Sequence, residues 1–224
     1  TLEYGTEMSI ARHRELMSLM IEIRNNPFNG LTDLSIAYNS LTVFYVPGIV
    51  FQHAGISPLA FVTDWLTRVA TALQADADIP VGTHHIIPVC YDPPFSPDLA
   101  AMAAFHHAST EEIIYGHQST RYYVFMVGFN PGFPYLGLVP AFLETPRKTT
   151  PALHIPAGSV GIAGRQTGIY PCTSPGGWNI IGRTPLRMFN INDSEHCLLK
   201  AGDTVTFSTI DKQTFYYLNQ YADN

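Results

Sequence analysis

Charge is scarce in this chain. Lys, Arg, Asp and Glu make up only 13% of its 224 residues, low for a protein whose whole surface meets water. Two readings are open. Part of the surface is covered by a partner, or the protein is β-rich with many half-buried tyrosines, aromatics being 12% of the chain. The net charge is −6, and no Lys/Arg cluster occurs, which argues against a nucleic-acid groove or an anionic membrane surface as a partner. Long apolar runs are missing too, so no membrane span is expected. The opening Thr1-Leu-Glu-Tyr-Gly5 lacks the basic-then-apolar pattern of a secretory signal, and a few native residues before it are expected to be missing.

Cysteine is also rare. Cys90, Cys172 and Cys197 are odd in number and form no C-x-x-C, which fits a reducing cytoplasm rather than a disulfide scaffold. No base or cation neighbours any of them in sequence, so inert thiols are expected. Other absences exclude whole chemistries. There is no H-E-x-x-H, no G-x-S-x-G and no phosphate-binding G-x-x-x-x-G-K-[ST]. The adjacent pairs His84-His85 and His106-His107 have poor geometry for one metal. No cofactor or metal is therefore expected on this chain.

What is abundant is apolar residues, at 46%, with 17 glycines and 17 prolines. That suffices for one large domain or two small ones. Residues 9–24 read as a helix with Ile10, Met17, Met20 and Ile21 on one face. Residues 41–46 read as a strand stopped by Pro47 and Gly48. Ser57-Pro58 starts a second helix, with Leu59, Val62, Leu66, Val69 and Leu73 along its apolar stripe. Residues 85–91 form another β-like run. This first portion predicts a small α+β layer. Past Pro88 the pattern changes. Ser96-Pro97-Asp98 starts a short helix, Ser109-x-x-Glu112 is a capping box, and residues 121–127 are a strong strand. Short apolar runs then alternate with Gly/Pro turns at residues 159–163, 178–181, 186–189 and 204–210, the signature of a barrel or sandwich.

Two glycine-rich segments stand out. Gly128-Phe-Asn-Pro-Gly-Phe-Pro-Tyr-Leu-Gly137 is either a rigid turn capped by aromatics or a stiff aromatic pocket wall. Residues 156–183 combine close-approach glycines with Gln166, Thr167, Tyr170, Ser174, Trp178 and Arg183. That mixture suits a small carboxylate or amide ligand, with Arg183 as the carboxylate fork. The alternative is a set of tight barrel turns whose Arg pairs a structural carboxylate. His117, placed by its sequence context in a loop leading towards the first glycine segment, is the preferred acid/base candidate, with a structural histidine as the alternative.

Taken together, the segments Gly128-Phe-x-Pro-Gly-Phe-x-Tyr-Leu-Gly137, Pro146-Arg147, Pro156-Ala-Gly-Ser-Val160, Gln166-Thr-Gly-Ile-Tyr-Pro171, Ser174-Pro-Gly-Gly-Trp178 and Gly182-Arg-Thr-Pro185 resemble the PxpB/KipI family. Its members are the B-type subunits of 5-oxoprolinase, also described as allophanate hydrolase subunit 1. The resemblance is strong over residues 85–210 and looser before. It implies an α+β fold: a small N-terminal α+β domain over residues 1–87 and a C-terminal cyclophilin-like β-barrel domain over residues 88–224. It implies an ATP-dependent 5-oxoprolinase that hydrolyses 5-oxo-L-proline to L-glutamate. The expected partners are a KipA-like C subunit of the enzyme and a LamB/YcsF-like A-type component, both separate chains, with ATP used by the assembled complex. Two other roles go with the resemblance: a KipI-like inhibitor of a sensor histidine kinase, and a carboxyltransferase-type subunit of a urea carboxylase or allophanate system. The site expected from these segments has Phe129, Phe133, Tyr135, Tyr170 and Trp178 as walls. Arg183 holds a carboxylate, Gln166 or Thr167 holds a ring amide, and His117 moves a proton. Arg165 departs from the family's usual glycine and is expected to add a cation at the pocket rim. The loop at Leu138-Val139-Pro140 is shorter than usual.

Overall fold

The computed structural model describes residues 1–72 and 82–221. The chain divides into two compact units, Thr1–Val81 and Gly82–Asn224.

The first unit contains β1 (Leu2–Glu3), α1 (Ile10–Asn25), β2 (Leu31–Ile36), β3 (Ser40–Tyr45), α2 (Pro47–Ala54) and α3 (Pro58–Ala72). Its antiparallel sheet has the order β1-β3-β2. Ser9 caps α1, its side chain accepting from the Arg12 amide. The buried stripe of α1 is Leu16, Leu19, Met20 and Ile23, not the Ile10, Met17, Met20 and Ile21 face expected from sequence. Spacings of three and four from Leu16 hold one face over two turns, whereas Ile10 is left exposed at the helix start. Pro47 and Gly48 do end β3, but they also begin α2, because proline at the first helical turn needs no amide donor. In α3 Val62 is buried with Leu66 packed beside it, Leu66 and Val69 pack against the α1 cluster, and Leu59 is exposed. Leu73, expected on the same stripe, lies outside the described residues.

The second unit runs β4 (His84–Val89), α4 (Leu99–Phe105), α5 (Thr110–Gln118), β5 (Tyr122–Val127), β6 (Pro134–Gly137), β7 (Ala152–Ile155), β8 (Ser159–Ala163), β9 (Gln166–Ile169), β10 (Ser174–Gly176), β11 (Asn179–Arg183), β12 (Thr204–Thr209) and α6 (Lys212–Tyr221). Seven strands form one sheet in the order β11-β8-β9-β6-β5-β12-β4. Just past β4, Cys90 meets Arg183 at the end of β11. The Cys90 amide donates to the Arg183 carbonyl at 2.8 Å, and the Arg183 amide donates to the Cys90 carbonyl at 3.0 Å. These bonds join the two outer strands, so the sheet closes into a cyclophilin-like barrel. β4 thus belongs to the barrel, pairing in parallel with β12 from His84↔Thr204 to Val89↔Thr209. The boundary expected at 87/88 accordingly falls earlier, at Val81/Gly82: the sequence showed the strand but not its partner.

Alternation fills the barrel. Ile87 and Val89, Tyr122 and Val124, and Val205 and Phe207 each point inward with period two. Met102 of α4 and Ile113 of α5 pack on the same core. The expected capping box is formed, with Ser109 and Glu112 each bonding the other's amide. Residues 186–189, expected as a strand, make only an isolated bridge between Phe189 and Cys197. Among the described residues no helix is long and apolar enough to cross a membrane.

Candidate functional site

Barrel closure sets the position of Arg183. Its main chain is held by Cys90, and its side-chain Nε donates to the Ala157 carbonyl at 2.7 Å. The guanidinium carbon sits 5.7 Å from the centre of the Phe215 ring. Burial pulls the guanidinium below its ordinary pKa, while Tyr216 nearby acts in the opposite direction; the group stays cationic. Arg183 lines a cavity of about 600 Å³, within the size range of small-molecule sites. Phe95, Ile155, Ile180 and Phe215 supply apolar walls, and Lys148, Asp98, His154, Ser159, Tyr216 and Asn219 supply polar groups.

Helix α6 forms one side of this cavity and was not anticipated. Its start was nonetheless legible. The Asp211 side chain accepts from the Thr214 amide at 2.7 Å, an N-cap three residues before its partner. Phe215 then anchors the helix on Phe95, with ring centroids 4.4 Å apart.

Asp98 and Lys148, also unanticipated, are 50 residues apart in sequence. Lys148 Nζ donates to both Asp98 oxygens, at 2.6 and 2.7 Å, and the Ile180 amide donates to Asp98 Oδ2 at 2.7 Å. No local spacing signals such a pair.

The expected aromatic wall is a packed core. Phe133 meets Tyr170 at 5.1 Å and Trp178 at 5.4 Å, both edge to face, and Tyr135 lies 4.8 Å from Phe133. Phe133, Tyr170 and Trp178 are buried. They pack with Ile155 and Ile180, which separate the cluster from the cavity. Burial pushes the Tyr170 phenol up to about 12 and raises that of Tyr135. The glycines serve this packing. A Cβ on Gly168 would stand 3.0 Å from Phe133 and Trp178 atoms and 2.8 Å from the Pro134 carbonyl. Phe129 caps the cluster from outside, its ring 5.9 Å from Phe133 and edge to face, two-thirds exposed on its turn with a left-handed φ of 69°.

His117 is likewise internal. It lies in the last turn of α5, not in a loop, and is fully buried. Thr167 Oγ1 donates its one proton to the Gly161 carbonyl at 3.0 Å, so it accepts from His117 Nε2 at 3.0 Å. Nδ1 is then the acceptor for the Tyr91 hydroxyl at 2.9 Å. Phe207 stacks on the imidazole at 4.3 Å. Burial pushes the His117 pKa down to about 3, so the ring is neutral. Neither His117 nor Thr167 lines the Arg183 cavity. The structure thus does not bring these two expected site residues together with Arg183: both face the barrel interior, where each has its hydrogen-bonding capacity taken up by the other and by Tyr91 and Gly161. Gln166 starts β9 half-buried, its backbone opposite Gly137 and Ala163. Arg165 is exposed in the β8–β9 turn and does not line the cavity. Burial also raises the Cys90 thiol pKa, consistent with an inert thiol.

Residues 1–199 match the family described as carboxyltransferase domain, subdomain C and D. The B subunit of 5-oxoprolinase from Bacillus subtilis (strain 168) is 40% identical over 220 residues, covering 96% of this chain and 90% of that one. The chain belongs to the family of 5-oxoprolinase B subunits. The corresponding protein of Escherichia coli O157:H7 is 50% identical over 121 residues, covering 54% of this chain and 56% of the relative. Among solved structures, TTHA0988 superposes with a TM-score of 0.78 at 32% identity over 94% of this chain. The present chain spans only 39% of that one. The urea amidolyase of K. lactis superposes with a TM-score of 0.80 at 16% identity, covering 99% of this chain and 15% of that one. At that identity the likeness is one of fold.

Proposed function

We propose that this chain is the B subunit of an ATP-dependent 5-oxoprolinase that opens 5-oxo-L-proline to L-glutamate together with separate A and C subunits. The observation that carries the reading is the 40% identity, nearly end to end, to a protein named as the B subunit of 5-oxoprolinase. The cavity supports it. Arg183 offers its Nη groups, unengaged among the described residues, for a bidentate contact with the substrate carboxylate, and the apolar walls suit a five-membered ring. Amide resonance protects the lactam, so its opening needs the activation that ATP hydrolysis in the assembled enzyme supplies. The chain itself binds no nucleotide, and its contribution is one part of a composite site.

The test is reconstitution. The chain is co-expressed with A and C homologues from the same genome, and glutamate release is measured with and without ATP. Glutamate formed only with all three subunits and ATP is the expected result; its absence from the full assembly overturns the proposal. The carboxyltransferase description of the family favours a second reading, carboxyl transfer from a biotin carrier. Labelled carboxybiotin supplied to the same assembly discriminates, since transfer of label without glutamate formation selects that reading.

A further inference from the structure

Asp98 occupies the N-cap position of α4 yet makes no side-chain cap bond there. Its carboxylate is committed to the Ile180 amide and to the Lys148 ammonium instead. A residue placed where capping would stabilise its own helix is thus held to a tertiary task. Lys148 does not need the ion pair to fix its loop. The Lys148 amide donates to the Gly177 carbonyl at 2.8 Å, and Asn179 Nδ2 donates to the Pro146 carbonyl at 2.9 Å. Those two bonds already tie the segment to the start of β11. The charged pair is also costly for a merely structural clasp, because both side chains are largely withdrawn from water, at 28% and 17% exposure.

The donor count shows what remains for a ligand. The ammonium has three N–H donors, and Asp98 takes two, leaving one. Arg183 keeps its Nη donors, since only Nε is engaged among the described residues. Both side chains line the same cavity. Two cations against one carboxylate leave a net single positive charge there, which matches a monoanion. We infer that Lys148, oriented by Asp98, is a second ligand anchor of this cavity, donating to a carbonyl oxygen of a small cyclic carboxylate whose carboxylate is held by Arg183. The cavity therefore selects ligands carrying both an anion and a second acceptor, and rejects the plain carbocyclic acid. Asp98 is a positioning residue, and Lys148 a specificity residue. This inference rests on the oxoprolinase reading for its choice of ligand, a lactam acid.

The experiment titrates the full chain with three probes: 5-oxo-L-proline, cyclopentanecarboxylate (the ring acid without the lactam oxygen) and 2-pyrrolidinone (the lactam without the carboxylate). Calorimetry or chemical-shift titration at millimolar probe reads each affinity. Wild type is expected to prefer 5-oxo-L-proline over cyclopentanecarboxylate by about tenfold or more, the worth of one hydrogen bond to a charged donor, and to bind 2-pyrrolidinone more weakly than the lactam acid. Lys148→Met is expected to bring the ratio between the two acids to within about twofold while cyclopentanecarboxylate still binds. Asp98→Asn, which keeps the side-chain shape but loosens the lysine, is expected to lower the ratio as well. Thermal melts confirm that each variant is folded, and Lys148→Arg, which preserves the ion pair, supplies a folded protein if the methionine variant is not; it too is expected to lose most of the ratio, because the guanidinium cannot place its donor where the ammonium does. A ratio unchanged in folded Lys148 variants, equal wild-type affinity for the two acids, or no binding of either acid overturns the inference. Failure here alongside glutamate formation by the three-component assembly retires the lysine anchor alone. Intact discrimination without any glutamate formation retires the oxoprolinase reading instead.

Discussion

Cys90 and Arg183 exchange two main-chain hydrogen bonds at the seam where the barrel closes. The same contact that completes the sheet therefore fixes the backbone from which the cavity's guanidinium projects. A cation mounted on a closed barrel moves little when an anion arrives, which favours preorganised recognition. Arg183→Lys should separate the side chain's role from the backbone's. The lysine can keep the main-chain bonds to Cys90 but cannot form a planar bidentate fork.

In the assembled enzyme that substitution is expected to cost about 1.5–3 kcal/mol of transition-state binding, roughly one to two decades in kcat/KM. Thermal melts of the isolated chain provide the control. Unchanged kinetics of the folded variant would show that Arg183 only supports the turn at Ala157.

Truncating the aromatic cluster should act on stability rather than on ligand affinity. Phe133→Ala removes a buried ring that touches Tyr135, Tyr170 and Trp178, and a loss of about 3–5 kcal/mol is expected. Gly168→Ala should destabilise by about 1–3 kcal/mol through overpacking, since its Cβ would press on the Pro134 carbonyl. Denaturant unfolding measures both. A folded variant with normal stability and weakened ligand binding would return these residues to the site.

His117 makes stability fall on the acid side. Its folded pKa is depressed to about 3 by burial, whereas the unfolded imidazole titrates near about 6.5. Above the unfolded value neither state binds the proton, and the full stability is present. As pH falls below it, only the unfolded chain is protonated, so stability drops by about 1.4 kcal/mol per pH unit until the folded pKa is reached. His117→Gln is expected to be less stable at neutral pH but to show a shallower decline between about pH 6 and 4. Parallel curves for the two proteins in urea titrations across that range would contradict this.

The isolated chain is expected to bind no ATP at micromolar concentration and to release no glutamate. Co-expressed with a C homologue, it is expected to elute from size exclusion as a single heteromeric species. Low-micromolar ATP affinity by calorimetry, or separate elution of the two chains, would count against a composite enzyme.

Much of the fold was legible because it rests on local rules. The capping box at Ser109 and Glu112, the period-two strands near residues 122–127 and 204–209, and the Pro/Gly turns each act within a few residues, so the chain displays them directly. The sequence also singled out Arg183, and the recurring glycine segments were enough to mark the family and the barrel. Tertiary structure alone decided what those segments do. The strand at residues 84–89 could be seen, but its pairing with β12, more than a hundred residues later, could not. Whether Phe133, Tyr170 and Trp178 faced a ligand or one another depended on close packing across three strands, and the same pattern serves either arrangement. His117 passed from candidate base to buried neutral ring once Tyr91 and Thr167 closed around it. The meeting of Asp98 with Lys148 had no sequence signal at all, because a charged pair is selected by distance through space, and sequence separation carries no information about that.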